Sequence, residues 1–176
     1  DLKDGTDLVA LMTALEEVEG LRWIRLLYAY PREMPDGFFE KLAGGGKILP
    51  YLDMPVQHAS DPMLKRMKRH HDRAFTVDML KQLRARVPGI TLRTSLIVGF
   101  PGETEEEYED LRTFVGEIRF ERMGAFPYSH EEGTVAFDME GLLPKKVIEK
   151  RRKGIMSLQK KISRAANKKL IGKIVE

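Results

Sequence analysis

The sequence predicts an α/β protein built on a parallel sheet. Four short apolar runs rich in β-formers, at residues 21–31, 47–55, 90–100 and 122–129, alternate with stretches of helical periodicity. Each intervening stretch is long enough to return the chain to the start of a neighbouring strand, as a right-handed β–α–β crossover requires. Polar residues and glycines also gather where the runs end, as in "LPYLDMPVQHAS" (49–60) and "VGFPGE" (98–103).

A helix over 6–19 comes first, with Leu8, Leu11, Leu15 and Val18 on one face and Gly20 placed to end it. The run "LRWIRLLYAYP" (21–31) follows, then a short helix at 38–43 broken by Gly44-Gly45-Gly46. The second run, "KILPYLDMP" (47–55), leads into helical pieces at 62–68 and 77–87. Pro88-Gly89 stops the latter and releases the chain into "ITLRTSLIVGF" (90–100). "TEEE" (104–107) is a capping box for a helix over 105–118, with three acids on the positive end of its dipole. Pro127 cannot donate to a ladder, so the fourth run, "RMGAFPYS" (122–129), is expected at a sheet edge. A long basic helix over 144–169 carries Ile148, Ile155, Met156, Leu158, Ile162, Ala165 and Ala166 as its apolar stripe. "LIGKIVE" (170–176) then reads as the opening strand of a further module. The expected organisation is an α/β domain over 1–143, a linker helix over 144–169, and the start of another module from 170.

Cysteine is absent, which excludes disulfides, thiol catalysis and thiolate metal sites within these 176 residues. No stretch approaches the roughly 18 apolar residues of a membrane span, and no signal peptide is visible. The composition reads as soluble and cytoplasmic, with no membrane contact. Charge is unevenly spread: residues 144–176 hold 12 Lys and Arg against 2 acids, leaving 18 against 25 before them. The basic residues of 145–173 point to an anionic partner, RNA first, or to a solvated helix face.

Ligands of parallel sheets bind beyond the carboxyl ends of the strands. The residues expected there are Tyr28, Tyr30 and Arg32; Asp53, Gln57, His58 and Ser60; Arg93, Ser95, Gly99, Gly102 and Glu103; and Tyr128, Ser129, Glu132 and Thr134. Such a rim suits a polar cofactor bearing hydroxyls and an amine or carboxylate. Ser60 reads equally as a helix cap, and Gln57 and His58 as groups that satisfy loop backbone. Arg93 and Ser95 alternate with Leu92, Thr94 and Leu96, so they share a face. Arg93 then needs an anionic partner: Asp53, Glu103 or a ligand carboxylate. "GFPGE" (99–103) offers a tight turn for close backbone approach, but neither a phosphate-binding loop nor GxGxxG is present. Adjacent His70 and His71 diverge on a helix and read as surface residues, His130 as a solvated loop residue, and Met63 and Met67 as core filler. No catalytic group emerges from these residues alone.

"ILPYLDMPVQHASDPMLKRMKR", "LRTSLIVGFPGETEEEYEDL" and "GAFPYSHEEGTVAF" together resemble the radical S-adenosylmethionine methylthiotransferases, in order and at natural spacing from about residue 23 onward. Within them the chain is most similar to the branch that modifies an aspartate of a small-subunit ribosomal protein. The resemblance implies a partial (β/α) barrel of the TIM-like kind, holding S-adenosylmethionine and a [4Fe–4S] cluster, with the four runs as barrel strands three to six. It implies a cofactor site of Gln57, His58, Ser60, Arg93, Ser95, Gly99 and Tyr128. Gln57 to Ser60 would face the ribose, Arg93 and Ser95 the polar end and Gly99 the adenine, while Tyr128 would close the pocket. It also implies a TRAM-like β-barrel module from 170 and an open sheet edge at 22–29.

The family's CxxxCxxC loop is missing, so the chain is expected to be a fragment, inactive alone, whose clusters are ligated elsewhere. A sibling branch acting on isopentenyladenosine of tRNA is the alternative. Further alternatives are a cluster-free relative that binds RNA or protein, and an aldolase-type barrel, which lacks the lysine or carboxylate pair it would need.

Overall fold

The computed structural model describes residues 6–31 and 34–174. The chain runs α1 (Leu8–Glu17), β1 (Ile24–Leu26), α2 (Phe38–Ala43), β2 (Ile48–Asp53), α3 (Asp61–Arg66), α4 (Arg73–Arg86), β3 (Thr91–Val98), α5 (Glu105–Ile118), β4 (Arg122–Pro127) and α6 (Lys145–Lys168). The strands form one parallel sheet in the order β1-β2-β3-β4, with β4 at an edge as Pro127 predicts. Sequential order with helical crossovers is the arrangement of a partial barrel.

Burial along β3 alternates strictly and separates the two faces of the sheet. Leu92, Thr94, Leu96 and Val98 are fully buried, whereas Arg93, Ser95 and Ile97 stay partly open. The buried face joins Leu52 of β2 to Phe38 of α2, Leu83 of α4, Phe114 of α5 and Ile155 of α6 in one core. The other face is the interior of the half-barrel. Thr94 is the one polar residue of β3 on the core side, and both its bonds go to the strand exit next door. Its Oγ1 donates to Met54 O (2.8 Å) and accepts from Val56 N (3.2 Å).

Local signals set most element boundaries. The α5 capping box forms in full: Glu107 N donates to Thr104 Oγ1 (3.2 Å) and Thr104 N to Glu107 Oε2 (2.9 Å). Thr104→Ala is expected to lower folding stability by about 1 kcal/mol, read as a lower urea midpoint with unchanged slope.

Three elements differ from expectation. α1 ends at Glu17 because Val18 turns extended, and Gly20 (φ +82°) bends the chain only afterwards. β1 keeps three residues of the run 21–31, because Tyr28 takes a left-handed φ of 60° and breaks the ladder. α4 begins at Arg73 rather than 77, since Asp72 caps it by accepting from Phe75 N at 2.7 Å.

Residues 169–172 form turns and no strand begins among the described residues 170–174; Val175 and Glu176, like Asp1 to Gly5 and Arg32, lie outside the described residues. No helix of the described residues is long and apolar enough to cross a membrane.

Candidate functional site

The open face carries a short polar row set by strand register. Asp53 lies beside Arg93, which lies beside Arg122 at the start of β4; Ser95 lies beside Gly124. Arg93 Nη1 donates to Asp53 Oδ2 at 2.8 Å, so of the two candidate partners within the chain it meets Asp53 and not Glu103. Asp53 is 1 % exposed and its Oδ1 has no hydrogen-bond partner, whereas the Arg93 side chain is 39 % exposed. The buried carboxylate thus pairs with the Arg93 guanidinium, which keeps donors to spare, while Arg122 Nη1 turns to Glu121 O at 3.1 Å.

Gln57 closes this row at the exit of β2. It adopts φ +67°, unusual for a residue with a side chain, and is held there by Gln57 N to Ser95 O (3.0 Å) and Ile97 N to Gln57 O (2.9 Å). Its backbone is thereby stitched into the sheet beyond the bend after Asp53. Tyr128 follows β4 and is fixed by Tyr128 N to Val98 O (2.8 Å) and by edge-on contact with Phe100 at 5.2 Å. Its hydroxyl is buried without a partner, and burial, aided by nearby Glu131, pushes its pKa up.

His58, Ser60 and Gly99 belong to a second layer, behind the open face. His58 has a fully buried side chain with both ring nitrogens engaged: Nδ1 accepts from Ser60 N (3.1 Å) and Nε2 meets Glu103 Oε1 (3.2 Å). Ser60 is buried at the N-cap of α3, yet its side chain makes no capping bond. Gly99 N donates to Glu103 Oε2 (2.9 Å), and a Cβ there would lie 2.5 Å from Ile148 Cγ1. Its small size therefore serves α6. These three residues shape the rim from behind, and the structure does not aim them at the open face as the sequence reading expected.

Glu103 is the hub of this layer. Besides His58 and Gly99 it accepts from Arg151 Nη1 at 2.6 Å, while Arg151 also reaches Glu103 O (2.8 Å) and Glu105 Oε2 (2.9 Å). Burial by itself would raise the Glu103 pKa. Hydrogen bonds from His58, Arg151 and Gly99 outweigh it and hold the carboxyl below its ordinary value.

Arg151 escaped the sequence reading because it sits in a basic helix. Its position was a usable signal: Ile148, Arg151, Ile155, Gln159 and Ile162 follow the 3–4 spacing of a buried stripe, and all five are buried.

His71 is buried, not a surface residue: its Nδ1 lies 2.9 Å from Thr76 Oγ1. His130 stacks on Phe137 at 4.2 Å. Among the described residues no cluster of three or more His, Cys, Asp or Glu could hold a metal.

A parallel half-barrel with a polar row on its open face defines an α/β protein of the partial-barrel class. The chain belongs to the radical SAM superfamily, whose profile matches residues 1–115. It is 52 % identical over all 176 residues to the ribosomal protein uS12 methylthiotransferase RimO of Myxococcus xanthus, covering 37 % of that protein. The RimO of Clostridium botulinum (strain Langeland) is 47 % identical over 166 residues, 94 % of this chain and 37 % of the relative. The chain thus spans a little over a third of the length of these relatives. Among solved structures, coproporphyrinogen III oxidase (HemN) of Escherichia coli superposes with a TM-score of 0.64 over 78 % of this chain and 32 % of its own, at 20 % identity. That likeness bears out the partial barrel.

Proposed function

We propose that this chain is the S-adenosylmethionine-binding part of a radical methylthiotransferase acting on an aspartate β-carbon of ribosomal protein uS12. Identity of about half over the whole chain to proteins so named is the observation that carries this reading. It favours the ribosomal protein over tRNA as substrate.

The residues present fit the cofactor. The open-face row offers the Arg93 guanidinium and the Asp53 carboxylate, complementary to an amino acid's carboxylate and ammonium, and the buried Tyr128 hydroxyl and Asp53 Oδ1 each await a partner. Arg93 would hold the carboxylate end, Asp53 the ammonium, Gln57 and Ser95 the ribose side, and Tyr128 would seal the pocket. Gly99, His58 and Ser60 would keep those groups in place. With a [4Fe–4S] cluster the cofactor supplies a 5′-deoxyadenosyl radical; any thiolates for that cluster lie outside these 176 cysteine-free residues. The outer face of α6, with Lys145, Lys146, Lys150, Lys153, Lys160 and Lys161, would meet RNA beside the substrate, and the site of action would be cytoplasmic.

The test uses the full-length parent enzyme, reconstituted anaerobically and assayed for 5′-deoxyadenosine release with a uS12 peptide and, separately, with tRNA. Release with the peptide is expected. Arg93→Ala and Gln57→Ala are expected to reduce it about tenfold or more, the loss of one charge-assisted contact. Release with tRNA alone would overturn the assignment.

A further inference from the structure

A second cationic feature lies on the flank of the same rim, between α3 and α4. Its floor is the segment "KRMKRHHDR" (65–73), and it forms a cleft of about 710 Å³ that includes Lys65, Lys68, Arg69, His70 and Phe75. That volume lies within the range of small-ligand sites. The cleft is bolted to the strand exits. Arg69 Nη2 donates to Pro55 O just after β2 (2.9 Å), and its guanidinium lies over the ring of Tyr30, just after β1, at 4.8 Å. His70 N donates to the Tyr30 hydroxyl at 3.1 Å.

Three observations say what such a cleft would take. First, its two acids are committed to backbone: Asp61 Oδ1 accepts from Arg73 N (2.7 Å) and Asp72 Oδ1 from Phe75 N (2.7 Å). Second, Lys65, Lys68, Arg69 and His70 make no ion pair with any described residue, although nearby Arg66 and Arg73 are paired with Glu107 and Glu117. Arg69 is the telling one: it is partly buried, and its Nε is buried without an acceptor. A half-buried guanidinium held by a carbonyl and an aromatic ring, with no carboxylate beside it, is suited to an anion. Third, Phe75 lines the same cleft as these cations and stands 41 % exposed. Cations paired with an exposed aromatic suit a phosphodiester with an adjoining base better than an acidic peptide, which has no ring to stack.

The ending of α3 adds to this. Arg69 N bonds to Leu64 O (2.8 Å) and Lys68 N to Lys65 O (3.0 Å), closing a Schellman turn with Lys68 at the left-handed position, φ +54°. Glycine is the ordinary occupant there. The chain keeps a lysine in its place, which puts an extra charge at the cleft.

We infer that this cleft binds a phosphodiester of single-stranded RNA, its Lys65, Lys68 and Arg69 on the phosphate and Phe75 on the neighbouring base. The choice of RNA among polyphosphates rests on the ribosomal reading above; the anion chemistry stands without it. The cleft and the lysines of α6 would then hold RNA at two separate places, with the cofactor rim adjoining the cleft.

The experiment measures binding of a fluorescently labelled single-stranded RNA oligonucleotide to this chain by anisotropy. It compares wild type with Lys65→Gln/Lys68→Gly, Phe75→Ala and, for α6, Lys160→Gln/Lys161→Gln. Glycine at 68 relieves the left-handed backbone, so the double variant should melt no lower than wild type while binding RNA about tenfold more weakly. Phe75→Ala should cost about fivefold or more. The cleft and α6 variants combined should lose the product of their separate effects, as separate sites do. RNA affinity unchanged within twofold in the cleft variants would overturn the inference, even if the α6 variants and the methylthiotransferase assay behave as proposed. Equal binding of a polyglutamate peptide at the cleft, lost in the same variants, would also overturn it in favour of an acidic-peptide site. Weakened RNA binding alongside an inactive parent enzyme would support the cleft and remove only the ribosomal reading.

Discussion

Glu103→Ala is expected to lower folding stability by about 3–5 kcal/mol, the usual effect of deleting one partner from a buried charge network. Glu103 has a fully buried side chain and receives His58, Arg151 and the Gly99 N–H on its two oxygens. Alanine would leave the Arg151 guanidinium, itself 7 % exposed, with Glu105, a backbone carbonyl and the Tyr108 ring as its partners, and without its buried counter-charge. It would also free the loops after β2 and β3 from α6, so the damage should reach the cofactor rim. Because the carboxyl is held below its ordinary pKa of 4.5, its contribution is fully present above that pH. It is lost as pH falls through the lower folded value. Urea midpoints measured from pH 7 downward should therefore decline in wild type below about pH 4.5 more steeply than in Glu103→Gln. An alanine variant within 0.5 kcal/mol of wild type would show that the network contributes little.

The parts of this architecture written in local chemistry were legible beforehand. The capping box fixed α5 to the residue, Gly44 ended α2 where expected, and Pro127 marked the edge strand. The alternation of Arg93 and Ser95 against Leu92 and Thr94 identified the open face, because a strand has only two sides. What escaped depended on partners far along the chain. His58 and Gly99 read as ligands of the rim, whereas Glu103 holds both in the layer behind it and α6 presses Arg151 and Ile148 against that layer. The contacts that decide this, His58 to Glu103 and Gly99 to Ile148, join residues far apart in the chain, beyond the reach of periodicity. The backbone of Tyr28 and Gln57, both named at the rim, escaped for another reason. Both take left-handed backbone that neither residue type advertises, and tertiary hydrogen bonds, such as Gln57 N to Ser95 O, hold the second in place. A strained, over-determined residue at the exit of β2 is where a binding role is to be sought, which is why Gln57 stands beside Arg93 in the activity test.

Gly99→Ala is expected to be the other severe lesion, at about 2–4 kcal/mol, from two separable causes. The residue adopts φ +78°, which costs an L side chain roughly 1 kcal/mol. The new methyl would also lie 2.5 and 2.7 Å from the two γ-carbons of Ile148, an overlap that relaxes only if α6 shifts, typically for about 1–3 kcal/mol. A double-mutant cycle distinguishes them. Ile148→Ala alone leaves a cavity and destabilises, but in combination it removes the two closest contacts, leaving the Ile148 Cβ at 3.0 Å from the new methyl and the left-handed cost. The loss in the double variant should then fall short of the sum of the two single losses by about 1–3 kcal/mol. Strict additivity would mean that the loop yields without moving α6, and would sever the mechanical tie inferred between them. If the tie holds, the single variant should also pull the Gly99 N–H away from Glu103. It should then depress the low-pH stability contribution of that carboxyl together with overall stability, as a change confined to backbone strain would not.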